Sequence, residues 1–174
     1  MPRFVRVLFA ATFALAVAAP AAQACTDQPV SRPFLPWLDL AFYEAAPDGG
    51  FEAGAGGWTL SGASVVSGGQ PWGGDARSLS LPAGSSATSG PVCVTVAHPT
   101  IRFFARGHGL MTVSVLAGGL ELPIGVVAGG GSWAPSLPMP VVANLLGEQD
   151  VRFRFTSLGA LRIDDVYVDP YSKG

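Results

Sequence analysis

The chain has one lysine, Lys173, and one asparagine, Asn144, among 174 residues, and only 13% of its residues are charged. Two histidines and two cysteines are the whole supply of those reactive side chains. Each shortage excludes something. Asn144 is followed by Leu145 and Leu146, so there is no N-glycosylation sequon. Ten basic residues against twelve acidic ones give no basic excess, which argues against a nucleic-acid partner. Cys25 and Cys93 are too far apart in sequence for a CxxC redox pair, and neither has a neighbouring histidine to build a zinc site. His98 precedes Pro99, and His108 lies in Gly107-His108-Gly109, so both read as turn residues. No HExxH, no GxSxG, no phosphate-binding loop and no GxGxxG is present. Asp164 and Asp165 are adjacent, and on a strand their side chains point to opposite faces, which rules them out as an opposed glycosidase pair. The chain reads as no enzyme.

The N-terminus supplies a compartment. Arg3 and Arg6 precede an apolar stretch from Val7 to Ala19, then Pro20 and the small residues Ala22-Gln23-Ala24. This is the pattern of a cleaved secretory signal over 1–24. The stretch is too short and too soon broken for a membrane span. The mature chain would start at Cys25 and carry eight basic against twelve acidic residues, a net charge of −4. In an oxidising compartment Cys25 and Cys93 are expected to bridge, a loop closure that stabilises by about 4 kcal/mol on the chain-entropy model. Lipidation of Cys25 is the alternative, although Ala22 stands where a lipobox usually has leucine.

The mature chain falls into two parts. Residues 25–47 carry Pro29, Pro33, Pro36 and Pro47 among Phe34, Trp37, Leu38, Phe42 and Tyr43. Proline at this density rules out a regular helix or a central strand. The aromatics argue for an extended arm laid on the domain. From residue 48 to 174, short apolar segments alternate with Gly, Ser and Pro clusters. Strands are expected at Trp58–Leu60, Ala63–Val66, Ser78–Leu81, Val92–Val96, Thr100–Arg106, Met111–Leu116, Leu122–Val127, Val151–Thr156 and Ile163–Val168. A single helical turn is expected over Val141–Leu146. Many short strands at this spacing predict an all-β sandwich or barrel.

Asp48-Gly49-Gly50-Phe51-Glu52 followed by Gly57-Trp58 resembles the opening of carbohydrate-binding modules with the galactose-binding-like jelly-roll fold. Ser78-Leu79-Ser80-Leu81 and Ile163-Asp164-Asp165-Val166 are similar to their later strands. The resemblance spans roughly Asp48 to Val168, and Asp48 stands where that family usually has asparagine. It implies a jelly-roll β-sandwich and an extracellular glycan as ligand. It also implies a structural Ca²⁺ held by Glu52 and Asp165, with Asp164 as a further partner; oxygen ligands are what Ca²⁺ requires. The alternative for Glu52 is turn capping, and for the two aspartates solvation of a strand end.

Candidate binding residues come from alternation and from the tryptophans. In Ile101-Arg102-Phe103-Phe104-Ala105-Arg106 one face carries Ile101, Phe103 and Ala105, and the other Arg102, Phe104 and Arg106. In Val151-Arg152-Phe153-Arg154-Phe155 the apolar residues share one face, and Arg152 and Arg154 the other. Were these strands neighbours, four guanidinium groups and a ring would form one surface suited to an acidic glycan or another anionic polymer. The alternative is a solvated face neutralised by Asp150, Asp169 or Glu121. Trp58 reads as core, Trp37 as the residue that docks the arm, and Trp133 as either core or surface. Trp72, between Pro71 and Gly73, is either an exposed ring or one covered by the arm. The sequence as a whole reads as a secreted, noncatalytic glycan-binding module; the competing reading is an extracellular interaction or adhesion domain without a small ligand.

Overall fold

A computed structural model describes residues 29–146 and 149–169. The expected signal peptide, Cys25 and Lys173 lie outside the described residues. The chain runs through β1 (Val30–Ser31), a 3-10 turn (Leu35–Trp37) and β2 (Tyr43–Ala45). Short strands follow: β3 (Thr59–Ser61), β4 (Ser64–Ser67), β5 (Arg77–Leu81), β6 (Ser86–Thr88) and β7 (Val92–Val94). Three long strands come next, β8 (Thr100–His108), β9 (Leu110–Ala117) and β10 (Leu120–Ala128). Then come β11 (Ala134–Pro135), β12 (Met139–Pro140), a 3-10 turn (Val142–Leu146), β13 (Gln149–Ser157) and β14 (Ala160–Val168).

These strands form two antiparallel sheets. In the first, β14 pairs with β8 along one edge and with β2 and β5 along the other; β1 extends β2, β4 extends β5, and β11 and β12 pair with β8. The second has the order β10-β9-β13-β6-β3, with β7 also on β13. The period-two segments supply the facing surfaces. Ile101, Phe103 and Ala105 of β8 are buried, as are Val151, Phe153 and Phe155 of β13. Phe103 meets Phe155 edge to face at 5.1 Å across the sandwich. Trp58 is 9% exposed, stacks on Phe155 and meets Phe51 edge-on, so it is core as expected. The fold is therefore an all-β sandwich.

The Phe103–Phe155 contact corrects one expectation. Strands β8 and β13 belong to different sheets, and their apolar faces meet in the core. Their other faces must then point away from each other. Arg102, Phe104 and Arg106 cannot share a surface with Arg152 and Arg154.

Chain reversal between the long strands depends on glycine. Gly109, between β8 and β9, has φ +100°, and a Cβ there would stand 2.7 Å from the Gly159 Cα in the neighbouring β13–β14 turn. The two hairpins approach more closely than any side chain allows. His108, expected in a turn, is the exposed last residue of β8, paired with Ala160 beside the turn. Nδ1 of His98 accepts the Thr95 N–H at 3.0 Å, so this histidine closes a turn too.

Candidate functional site

The outer face of the first sheet carries a third layer. The segment between β1 and β2 lies against it, and Phe34, Tyr43 and Phe104 form a second buried cluster with Trp37, Trp133 and Tyr167 against it. Phe34 meets Tyr43 edge-on at 5.0 Å and Phe104 at 5.1 Å. Arg102 lies inside this layer. Its guanidinium is 4.2 Å from the centre of the Phe34 ring, donates to the Ser136 carbonyl and is paired with Asp39. Asp39 also accepts from Tyr43 Oη at 2.7 Å and from the Ala41 N–H at 3.0 Å. Burial would raise the Asp39 carboxyl, but the hydrogen bonds from Tyr43, Ala41 and Arg102 outweigh it and hold the group below its ordinary range. Arg102 and Phe104 are 6% and 1% exposed, so these two candidate ligand residues are arm-packing residues. Alternation placed them on the non-core face, and the arm turned that face into a second core.

Beyond the arm the same face opens. Trp72 remains 50% exposed. Its ring lies 5.4 Å from Phe104 at an interplanar angle of 33°, and Trp37 meets it edge-on at 4.7 Å. The loop that carries Trp72 is pinned by Gln70, which is 2% exposed. The Gln70 N–H donates to Asp164 Oδ2 at 2.8 Å, and Nε2 donates to Asp165 Oδ2 at 2.7 Å. Gln70 Oε1 accepts the Trp72 N–H at 2.6 Å. Gln70 thus fixes the tryptophan backbone from below, while two rings fix its side chain. Trp133 is half-buried on the same face, with the Arg106 guanidinium 5.7 Å from its ring centre.

The residues expected to hold calcium are occupied otherwise. Glu52 Oε1 accepts the Ala76 and Arg77 N–H groups at 2.9 and 2.8 Å and so clamps the far end of the Trp72 loop. Asp164 Oδ1 accepts the N–H of Asp165, a residue in the left-handed region at φ +50°. Gln70 Nε2 lies between the carboxylates of Asp165 and Asp75, and a Cβ at Gly73 would collide with that amide. Among the described residues no three acidic, imidazole or thiol groups converge closely enough to hold a metal ion. An amide donor stands where a cation would need oxygen, so this donor set does not fit calcium. Burial, reinforced by the charges of Asp165 and Asp75, pushes Asp164 up to about 7. Burial and the Asp75 carboxylate push Asp165 up to about 6.

The outer face of the second sheet is polar. Its cross-strand rows include Thr59–Thr88–Arg154–Ser114 and Ser61–Ser86–Thr156–Thr112. A groove of about 620 Å³ lies at one end, lined by Leu116, Glu121, Asp150, Arg152 and Arg154 among others. The two arginines are already committed. Arg154 donates to Glu121 at 2.6 Å and to Thr88 Oγ1 at 3.2 Å, spanning the sheet over β9. Arg152 donates to the Ser89 carbonyl at 3.2 Å. Glu121 thus neutralises Arg154, while Arg152 has no carboxylate within 4.0 Å among the described residues.

A scan against protein-family models finds no match, and a search of curated proteins finds none. Solved structures do match. The C-terminal CBM6 module of LamC, a marine laminarinase from Zobellia galactanivorans, superposes with TM-score 0.51 at 12% identity, covering 67% of this chain and 95% of that one. The two share a fold, the two-sheet antiparallel β-sandwich. A Cellvibrio mixtus CBM6 module from lichenase 5A, in complex with cellotriose, matches at TM-score 0.49 and 13% identity, over 67% of this chain and 93% of that one. TmCBM61, in complex with β-1,4-galactotriose, matches at 0.47 and 20%, over 70% and 94%.

Gln70, Asp39 and Arg162 were not singled out from the sequence. Gln70 stands in Gly68-Gly69-Gln70-Pro71, where no periodicity marks a buried polar residue. Asp39 stands between Leu38 and Leu40 among the arm's aromatics, and a carboxylate in that apolar setting was the one available signal.

Proposed function

We propose that this domain is a noncatalytic, exported carbohydrate-binding module whose sugar platform is the Trp37–Trp72 pair. The observation that carries the reading is that Trp72 is half exposed and yet packed against two rings, with its backbone N–H bonded to Gln70. An indole ring matches the apolar face of a pyranose, and a ring already fixed by Phe104, Trp37 and Gln70 loses little freedom on binding. The site is mounted on a loop but anchored to two strands of the first sheet, which is where precision comes from. Export through the signal over 1–24 and a Cys25–Cys93 bridge belong to the same proposal. Cys93 is buried on β7, and no described cysteine is free. The bridge would tie the start of the arm to the second sheet and thereby help hold Trp37 in place.

The competing reading, an interaction domain without a sugar, has its own observation. Val126, Leu137, Met139 and neighbouring prolines line an apolar groove of about 390 Å³ between β10 and the β11–β12 segment. A glycan array probed with the wild type and with Trp72→Ala separates the two. Sugar binding lost on substitution supports the platform. No sugar bound by either protein sends the search to the apolar groove.

A further inference from the structure

We infer that the row of side chains next to the tryptophan platform is an anion site, formed by Arg106 and Arg162, which takes the carboxylate or sulfate group of an acidic saccharide. The inference rests on the sugar-binding reading for its ligand class, but not for the existence of the site. Arg106 of β8 and Arg162 of β14 are register partners, so their side chains leave the same face directly opposite one another. Ser80 and Ser64 continue the row across β5 and β4. Two guanidinium groups and two hydroxyls therefore stand in one line across four strands.

Like charges directly opposite on adjacent strands repel. Arg102 and Arg154 each face a neutral residue across the strands and have a carboxylate partner, Asp39 and Glu121. Arg106 and Arg162 have no carboxylate within 4.0 Å among the described residues. Arg162 donates only to the Ser67 carbonyl at 3.2 Å, and Arg106 lies beside the Trp133 ring. Both side chains are half-buried, which lowers their screening by water. A guanidinium presents a planar fork of N–H donors, and two of them side by side match an oxyanion.

The spacing ties the row to the platform. Arg106 follows Phe104 by two residues on one strand, about 7 Å along it, and Phe104 is the ring beneath Trp72. A saccharide seated on Trp72 with its next unit directed along β8 brings an acidic substituent over the two arginines. Phe104 and Arg102 are buried under the arm, whereas Arg106 and Arg162 stay partly exposed. The ligand is accordingly an acidic glycan, and its charge is read by this pair and not by Arg152 and Arg154.

The test uses the mature chain and three probes: a galacturonate tetramer, the neutral galactose tetramer and inorganic sulfate. Calorimetry on the wild type should give the uronate at least about ten-fold tighter binding than the neutral tetramer, the worth of one charge-assisted bond. Arg106→Gln and Arg162→Gln should each erase that preference and leave the neutral affinity unchanged, while Arg154→Gln changes neither. Sulfate tests the site without any sugar: at constant ionic strength it should shift the arginine Nε–H resonances of Arg106 and Arg162 more than those of Arg32 and Arg77. Unchanged uronate preference in both variants, or no selective sulfate shift, overturns the anion site. Loss of all saccharide binding with the sulfate shift intact would sink the sugar reading and leave the anion site standing.

Discussion

Trp37 meets Trp72 edge-on at 4.7 Å, so a residue of the N-terminal arm and a residue of the β4–β5 loop make one surface. The arm is thereby part of the site and not a tether. What holds the arm holds the site.

Asp39 is the key to that hold. Its carboxylate joins Tyr43, the Ala41 N–H and Arg102, the last only 7% exposed as a side chain. Asp39→Ala would leave the buried guanidinium without a carboxylate, held only by the Ser136 carbonyl and the Phe34 ring, and stability should fall by about 3 kcal/mol. Urea unfolding of the purified variant checks this. A loss below about 0.5 kcal/mol would mean that the pair is screened like a surface bridge.

Arg162 gives the opposite sign. Removing one of two like charges held face to face should stabilise, so Arg162→Gln is expected to gain about 0.5 kcal/mol in the absence of any ligand. The same unfolding experiment measures it. A loss of stability would show that its bond to the Ser67 carbonyl outweighs the repulsion.

The buried carboxylates set a pH dependence whose sign follows from their shifts. Asp164, up to about 7, and Asp165 and Asp169, each up to about 6, hold protons in the folded chain that the unfolded chain releases near its ordinary 3.8. Their stabilising contribution is complete below the unfolded value and is lost as pH rises through the folded one. The melting temperature should therefore fall between about pH 5 and about pH 8, and Asp164→Asn should flatten the slope. A melting temperature that rises over this range would contradict the assignment.

Calcium enters through the same residues. With the Gln70 amide between Asp75 and Asp165, millimolar Ca²⁺ after EDTA stripping should leave the melt where it was. A ligand that bound the folded state would raise it by mass action. A rise that disappears in Glu52→Ala would restore the calcium site implied by the family resemblance.

The Cys25–Cys93 bridge has a mass test. Intact secreted protein should be two hydrogens lighter than its reduced form, as a disulfide requires. Two thiols alkylated without reductant would remove the bridge, and a lipid adduct on Cys25 would replace it.

Much of this was legible in the sequence, and the boundary is physical. All nine expected strands formed, because alternation and turn residues are local signals. Ile101, Phe103 and Ala105, like Val151, Phe153 and Phe155, faced the core as their period demanded. Which strands become neighbours is not local, and β8 and β13 ended in different sheets. Nor does alternation say what lies on the other face: Arg102 and Phe104 sit on the polar side of β8 and are buried all the same, because the arm covers them. The short strands β1, β2, β6, β11 and β12 are pairing partners of longer ones and carry no period of their own. Trp72 was a candidate from its polar loop, while Arg162 lies one residue before the expected strand Ile163–Val168 and so had no expected face; β14 in fact begins at Ala160.

The most direct measurement is calorimetric binding of saccharides identified on a glycan array, comparing the wild type with Trp72→Ala. The half-exposed ring contributes little to the core, so the variant should keep its fold by circular dichroism and lose at least about 30-fold in affinity, as expected of a single dominant contact. Saccharide binding of equal strength in a folded Trp72→Ala would contradict the account, because the platform from which the function was read would then bear none of the ligand.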